Sequence, residues 1–533
     1  MLCNPPFGGR SGHHRPGLPR VGPALTPEPY CLYFRCATRV RCSLLTGGHL
    51  ERPSLIIFSH PSPTRSSAPK QTSRRSPPMN VPLVSPLGLN RRSFLSRAVA
   101  ASGAAVALGS KVILGRGVRA EALDANAAIS NPSGTPPSQD QAEQKGGAYF
   151  YFLADEGMNY TLNRPLLDGH ATNRIEEIRA VAPEIKDFDS WYKVWLGLAK
   201  RAEAEGRWLD AATYYHQAEF YLPAGELRNG LYDDFARNFA RGMQGVAGYE
   251  RFKVPYPGGH LPGFRLPASG KELATFVFNG GYDSFVEEFY PFLRPLTEVG
   301  FTVIAFDGPG QGGALRQGIF FTPAWEQPAK AILDHFKLEQ VDWLGASCGG
   351  YLAIRAAAYE PRIKHVIALP ATYWGLDMTL KQAAPGQDRR LISLFMAGDR
   401  DGVEALVAEQ RKVSTCFDWC ITQGMHITGT HSPYECLTSL SQHSLDGILK
   451  DLRQDVLLTE GEDDHLFPVD RMYQIMRELV CARSVTARMF TAREGAEHHC
   501  QVGNSALARE EVMRWLARFH PGMDRGLTET LAG

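Results

Sequence analysis

Charge of one sign, long apolar runs and closely paired cysteines are what this 533-residue chain has little of. Its formal net charge is +1 with 21% charged residues, so neither nucleic acid nor a strongly charged surface is indicated as a partner. Four of the ten cysteines, Cys3, Cys31, Cys36 and Cys42, lie near the start. The others, Cys348, Cys416, Cys420, Cys436, Cys481 and Cys500, are scattered without C-x-x-C spacing. That spacing argues against a zinc site and for buried free thiols, with one disulfide through Cys416 or Cys420 as the alternative. No metal or cofactor is expected.

Acidic residues are almost missing from residues 1–78, which hold only Glu28 and Glu51 among Pro, Ser and Arg. With no sustained apolar period, this stretch reads as an untranslated or disordered extension. Residues 79–122 read as a twin-arginine export signal beginning at Met79. The run Asn90-Arg91-Arg92-Ser93-Phe94-Leu95-Ser96-Arg97 precedes a modest apolar segment from Ala98 to Leu108, and Ala120-Glu121-Ala122 offers a cleavage site. The apolar segment is too short and too rich in Ala and Gly to anchor stably in a bilayer. The expected location is therefore periplasmic or secreted, with the export machinery as a partner and no membrane attachment after cleavage. Residues 123–148 read as a polar linker.

From residue 149 to 248 the pattern turns helical. Aromatic and apolar positions recur every three or four residues through Trp191, Trp195, Trp208 and Tyr215, and Gly206 breaks the run between two helices. No second copy appears at a fixed period, so the aromatic stripe reads as core and interface. This helical domain at the edge offers a surface for a homodimer. Strands alternate with helices over 249–370 and 454–525, which implies an α/β fold with a mostly parallel sheet. A hairpin is expected around Pro257-Gly258-Gly259. The alternation lapses over 371–453, an insertion placed to form a helical lid.

The chemistry gathers at Gly345-Ala346-Ser347-Cys348-Gly349, between an apolar strand and a helix. That arrangement is the nucleophile elbow of an α/β-hydrolase fold, and it nominates Ser347 as nucleophile. A serine hydroxyl needs a histidine to take its proton and an acid to hold that histidine. In this fold they follow in the order acid, then histidine. Gly461-Glu462-Asp463-Asp464-His465 and Glu497-His498-His499-Cys500 lie after strands, where those loops belong. Within these, either aspartate and either of His498 and His499 fit, and His465 reads as a solvated loop histidine. The oxyanion needs two backbone donors: Cys348 should give one, and Gly281 or Tyr282 the other.

The runs Asn279-Gly280-Gly281-Tyr282-Asp283-Ser284, Asp307-Gly308-Pro309-Gly310-Gln311-Gly312, Gly461-Glu462-Asp463-Asp464 and His499-Cys500 together resemble the group containing 2,6-dihydroxypseudooxynicotine hydrolase and fungal polyketide-shortening hydrolases. The resemblance runs from about Tyr149 to the C-terminus. It implies Asp464 as the acid and His499 as the base. It also implies hydrolysis of a C–C bond beside a ketone in a small aromatic or polyketide-like substrate, with an acidic lid residue in some members. A carboxylesterase or peptidase of the same fold is the alternative, and a non-catalytic binding protein on this scaffold the third reading.

Overall fold

The computed structural model describes residues 149–166 and 172–523. The expected extension, export signal and linker lie outside the described residues. No helix among the described residues is long and apolar enough to cross a membrane.

Among the described residues five helices precede the sheet: α1 (Glu156–Asn163), α2 (Thr172–Val181), α3 (Phe188–Ala204), α4 (Trp208–Glu219) and α5 (Glu226–Gly242). Helix α3 starts at a capping box in which Asp187 accepts from the Ser190 amide while Ser190 reaches back to the Asp187 amide. Trp191, Trp195, Leu198, Ala199 and Ala202 then fall on one face and are buried. Gly206 ends the run at φ 75°, a left-handed turn that glycine adopts without strain. The aromatic stripe is packed core: Trp191, Trp195 and Tyr214 are fully enclosed.

Among the described residues the sheet has eight strands: β1 (Glu250–Tyr256), β2 (Gly259–Leu266), β3 (Ala274–Asn279), β4 (Phe301–Phe306), β5 (Val341–Ala346), β6 (Ile363–Leu369), β7 (Asp455–Gly461) and β8 (Ser484–Phe490). Their spatial order is β1-β2-β4-β3-β5-β6-β7-β8. The expected hairpin joins β1 to β2, and β2 runs antiparallel to β4. All remaining pairs are parallel. Every residue of β4 and of β5 is buried, as parallel strands covered on both faces require.

Helices α6 (Tyr290–Glu298), α7 (Glu326–His335) and α8 (Cys348–Tyr359) connect the parallel strands up to β6. Between β6 and β7 come α9 (Asp377–Gln382), α10 (Gln387–Met396), α11 (Arg400–Gln410), α12 (Thr415–Thr428) and α13 (Pro433–Ser441). Helix α14 (Asp470–Glu478) joins β7 to β8, and α15 (Ser505–Leu516) follows the last strand. This winding brings the C-terminal ends of β3, β5 and β7 together as one rim, where loops of a parallel sheet carry chemistry.

Candidate active site

Strand β5 turns into α8 at Ser347, whose φ of 59° and ψ of −132° are strained for a residue with a side chain. Such a conformation costs on the order of 1–3 kcal/mol and persists only where neighbours impose it. They do so here: the Ser347 amide donates to the Leu369 carbonyl at 2.6 Å, and its carbonyl accepts from Gly350 at 2.9 Å. Strand and helix converge so closely that a Cβ on Gly345 would lie 1.8 Å from the Gly349 carbonyl oxygen. The serine hydroxyl is pushed out of this corner, half-exposed.

His499 Nε2 lies 2.8 Å from Ser347 Oγ, and His499 Nδ1 lies 2.6 Å from Asp464 Oδ2. The second Asp464 oxygen accepts from the Leu466 and Phe467 amides, each at 2.8 Å. Burial alone would raise the Asp464 pKa, but the adjacent His499 charge and these hydrogen bonds hold it well below the carboxylate range. Burial likewise opposes the His499 cation, and the Asp464 charge outweighs it, lifting His499 well above 6.5. Asp463 is exposed. His498 packs instead against Tyr149, the ring centroids 3.7 Å apart and the rings tilted by 30°. Geometry therefore separates both ambiguous pairs, bringing Asp464 and His499 to Ser347.

After β3, the Gly281 amide donates to Ser284 Oγ at 3.2 Å. The Tyr282 and Cys348 amides donate to no acceptor among the described residues. Gly281 contributes space instead: a Cβ there would lie 2.9 Å from the Cys348 nitrogen. The loop is braced by the Asp307–Gly312 run. Gln311 Nε2 donates to the Gly280 and Gly281 carbonyls at 2.7 and 3.0 Å. Asp307 accepts from the Val286 and Gly313 amides, each at 2.9 Å. That motif therefore braces the loop after β3, a role its sequence did not disclose.

Both neighbouring helical layers grip the site. From α1, the Tyr160 hydroxyl donates to the His499 carbonyl at 3.1 Å, and Arg164 pairs with Asp283 at 2.8 Å. From the inserted helices, Tyr282 accepts at its carbonyl from Gln423 Nε2 and donates its hydroxyl to the Cys420 carbonyl, at 2.8 and 2.9 Å. Lys381 donates to the Asp464 carbonyl and, at 2.7 Å, to that of Phe467. Asp377, a buried acid at the start of the insertion, is engaged by Arg471 and by the Tyr373 and Trp374 amides. Glu460 sits fully buried next to the acid loop, and burial, followed by the Asp464 charge, pushes its carboxyl far above the usual range.

Two expectations need correction. His465 is not solvated: it is 9% exposed, with its ring 4.5 Å from Tyr160 and 6.3 Å from His499. The helical layer covers the loop that sequence alone left open. The six described cysteines are free, so the disulfide alternative falls, but they are not uniformly buried: Cys481 is exposed and Cys416 and Cys500 are half-buried. A further cluster escaped the sequence reading because it joins three distant segments. The Asp342 carboxylate lies 2.5 Å from His365 Nδ1 and 2.7 Å from His520 Nε2, at the opposite end of β5.

The family profile of the alpha/beta hydrolase fold matches residues 276–503, a span that contains Ser347, Asp464 and His499. Profile, sheet order and elbow together give this chain the α/β-hydrolase fold. Its relatives are named hydrolases. The hydrolase LUC6 of a Fusarium species is 28% identical over 384 residues, covering 64% of this chain and 90% of the relative. The 20-hydroxy-prefusarin hydrolase FUS2 of Gibberella moniliformis is 27% identical over 394 residues, covering 64% and 91%. The solved structure of wild-type AbyA5 shares the fold at a TM-score of 0.53 and 19% identity, covering 69% of this chain and 98% of that one.

Proposed function

We propose that this hydrolase cleaves a C–C bond next to a ketone in an aromatic or polyketide-like substrate, with Ser347 as nucleophile. The observation that carries the reading is the continuous chain Ser347 Oγ, His499, Asp464, with links of 2.8 and 2.6 Å. Ser347 Oγ attacks the ketone carbon as His499 Nε2 takes its proton. The oxyanion is met by the Cys348 and Tyr282 amides, and Gly281 keeps the space clear. The C–C bond then breaks, its electron pair leaves as a resonance-stabilised carbanion, and His499 returns the proton to that carbon. Water activated by His499 releases the acyl group from Ser347 as a carboxylic acid. An aligned hydrogen-bonded triad gives no support to a binding-only scaffold.

The choice of bond rests on the resemblance in the loop motifs; one relative is named a 20-hydroxy-prefusarin hydrolase, which supports an organic substrate of that kind. The same triad would turn over simple esters, so the bond cleaved is decided by trapping. Incubation with a β-diketone, followed by rapid acid quench and intact-mass analysis, should show an acyl adduct that maps to Ser347. An adduct formed from p-nitrophenyl esters and never from the diketone would move the assignment to a carboxylesterase. Export by the twin-arginine route is a separate proposal, resting on the Asn90–Arg97 pattern, and N-terminal sequencing of secreted protein tests it. A mature chain beginning at Leu123 is the expected result.

A further inference from the structure

The Asp342, His365 and His520 cluster takes no part in the triad. Asp342 is the second residue of β5, about 17 Å along the strand from Ser347. In the parallel register Asp342 pairs with His365 of β6, and His365 pairs with Asp455 of β7. Three neighbouring strands thus set ionisable side chains at one level of the sheet. His520 reaches the Asp342 carboxylate from the segment after α15.

Asp342 is 2% exposed, and its ion-pair partners among the described residues are His365 Nδ1 at 2.5 Å and His520 Nε2 at 2.7 Å. A buried carboxylate without a full counter-charge is costly, and neutral histidines supply none. His365 faces a second acid, since its Nε2 lies 3.8 Å from Asp455 Oδ2. Asp455 is itself fixed by Arg483 and by Ser484 Oγ, the latter at 2.6 Å. A neutral imidazole has one N–H and cannot donate to both carboxylates. With a cation bound at Nδ1, the N–H sits on Nε2 and points at Asp455, the arrangement by which a carboxylate orients a metal-bound histidine. Aromatic neighbours hold both rings: Phe519 stacks on His365 at 4.1 Å, and Phe301 meets His520 edge to face at 5.3 Å.

We propose that Asp342, His365 and His520 bind one zinc ion that fastens the chain after α15 to the sheet. Their donor atoms all lie within 4.8 Å of one another. Zinc bonds of about 2.0–2.2 Å place tetrahedral donors about 3.4 Å apart, so side-chain shifts under about 1 Å complete the site. Two imidazoles and one carboxylate suit zinc, whereas magnesium and calcium take oxygen ligands. Water takes the fourth position beside the half-buried His520. No cysteine is required. The ion is structural: it supplies the counter-charge that Asp342 lacks and ties together β5, β6 and the segment that follows α15.

The test is titration of the chelator-stripped full chain with zinc chloride against a colorimetric chelator, for wild type, His520→Phe and Asp342→Asn. Wild type should take up one zinc ion per chain more than either variant, whose binding at this site should be at least about a hundredfold weaker. Zinc at a hundredfold excess over its dissociation constant should raise the wild-type melting temperature by about 3 °C. Magnesium should not raise it, and zinc should leave His520→Phe unmoved. Cobalt(II) in place of zinc should give visible d–d absorption that is lost in His520→Phe, without the near-ultraviolet charge-transfer band of a thiolate ligand. Equal zinc uptake by wild type and His520→Phe, or no uptake by either, overturns the proposal. A protonated His365 bridging the two carboxylates, which needs no metal, would then account for the cluster.

Discussion

Replacing Gly281 with alanine adds one methyl group at the point where the nucleophile and oxyanion loops touch. The new Cβ would lie 2.8 Å from the Ala346 carbonyl oxygen and 2.9 Å from both the Cys348 nitrogen and Ser347 Cβ. Ordinary contact begins at 3.4 Å, so the methyl falls about half an ångström short on three sides. The elbow cannot yield, because hydrogen bonds at 2.6 and 2.9 Å pin Ser347 in its strained turn. The loop after β3 must retreat, carrying the Tyr282 amide away from the oxyanion. Loss of one such donor costs about 10²–10³ in kcat, or about 3–4 kcal/mol. The assay is kcat and KM on an ester substrate beside a thermal melt. The expected result is a kcat lowered by about that factor, with KM and melting temperature little changed. A kcat within tenfold of wild type would refute the placement of the oxyanion between these loops, and so would a variant that fails to fold.

Two other expectations follow from the site's electrostatics. His499 must be neutral to accept the Ser347 proton, and Asp464 raises its pKa above 6.5, so kcat/KM should fall as pH drops through that raised value. Asp464→Asn should move this acid limb to lower pH and cut kcat by about 10³–10⁴, as loss of the orienting carboxylate does elsewhere; an unmoved limb would show that Asp464 does not set the histidine. For stability the signs differ. The His499 contribution is complete below pH 6.5 and lost as pH rises through its folded pKa. The Asp464 contribution is complete above its unfolded value of 3.8 and lost as pH falls through its depressed one. The second expectation concerns Arg228, which pairs with the fully buried Glu219 and also donates to Gln423 Oε1 at 2.7 Å. Arg228→Met should destabilise by about 3–5 kcal/mol because it leaves Glu219 buried with its main counter-charge gone. A denaturation midpoint equal to wild type would contradict that.

The parallel strands were legible because each is a short apolar run between turn signals, as in Phe301-Thr302-Val303-Ile304-Ala305-Phe306, buried along its whole length. Ser347 was legible because steric demand at the elbow leaves a local signature, Gly345 and Gly349, in the sequence itself. What local pattern could not resolve was contact between distant segments. His465 looks exposed until α1 and α12 are laid over its loop, and Tyr160 reaches a histidine 339 positions away. Gln311 was conspicuous in its glycine-rich run, yet its work is to hold the carbonyls of another loop. The Asp342, His365 and His520 cluster is assembled from β5, β6 and the segment after α15, with no spacing that a sequence motif could capture. The resemblance that chose Asp464 over Asp463 and His499 over His498 agrees with the geometry, in which Asp463 is exposed and His498 packs against Tyr149.

In the proposed reaction Ser347 attacks a ketone and a C–C bond breaks. Product analysis of benzoylacetone incubated with wild-type and Ser347→Ala protein, beside a p-nitrophenyl ester, tests it most directly. Wild type should yield a carboxylate and a ketone from the diketone, and Ser347→Ala neither. Ester turnover with an untouched diketone would contradict C–C hydrolysis. Diketone cleavage that persists at the wild-type rate in Ser347→Ala would remove the serine from the mechanism.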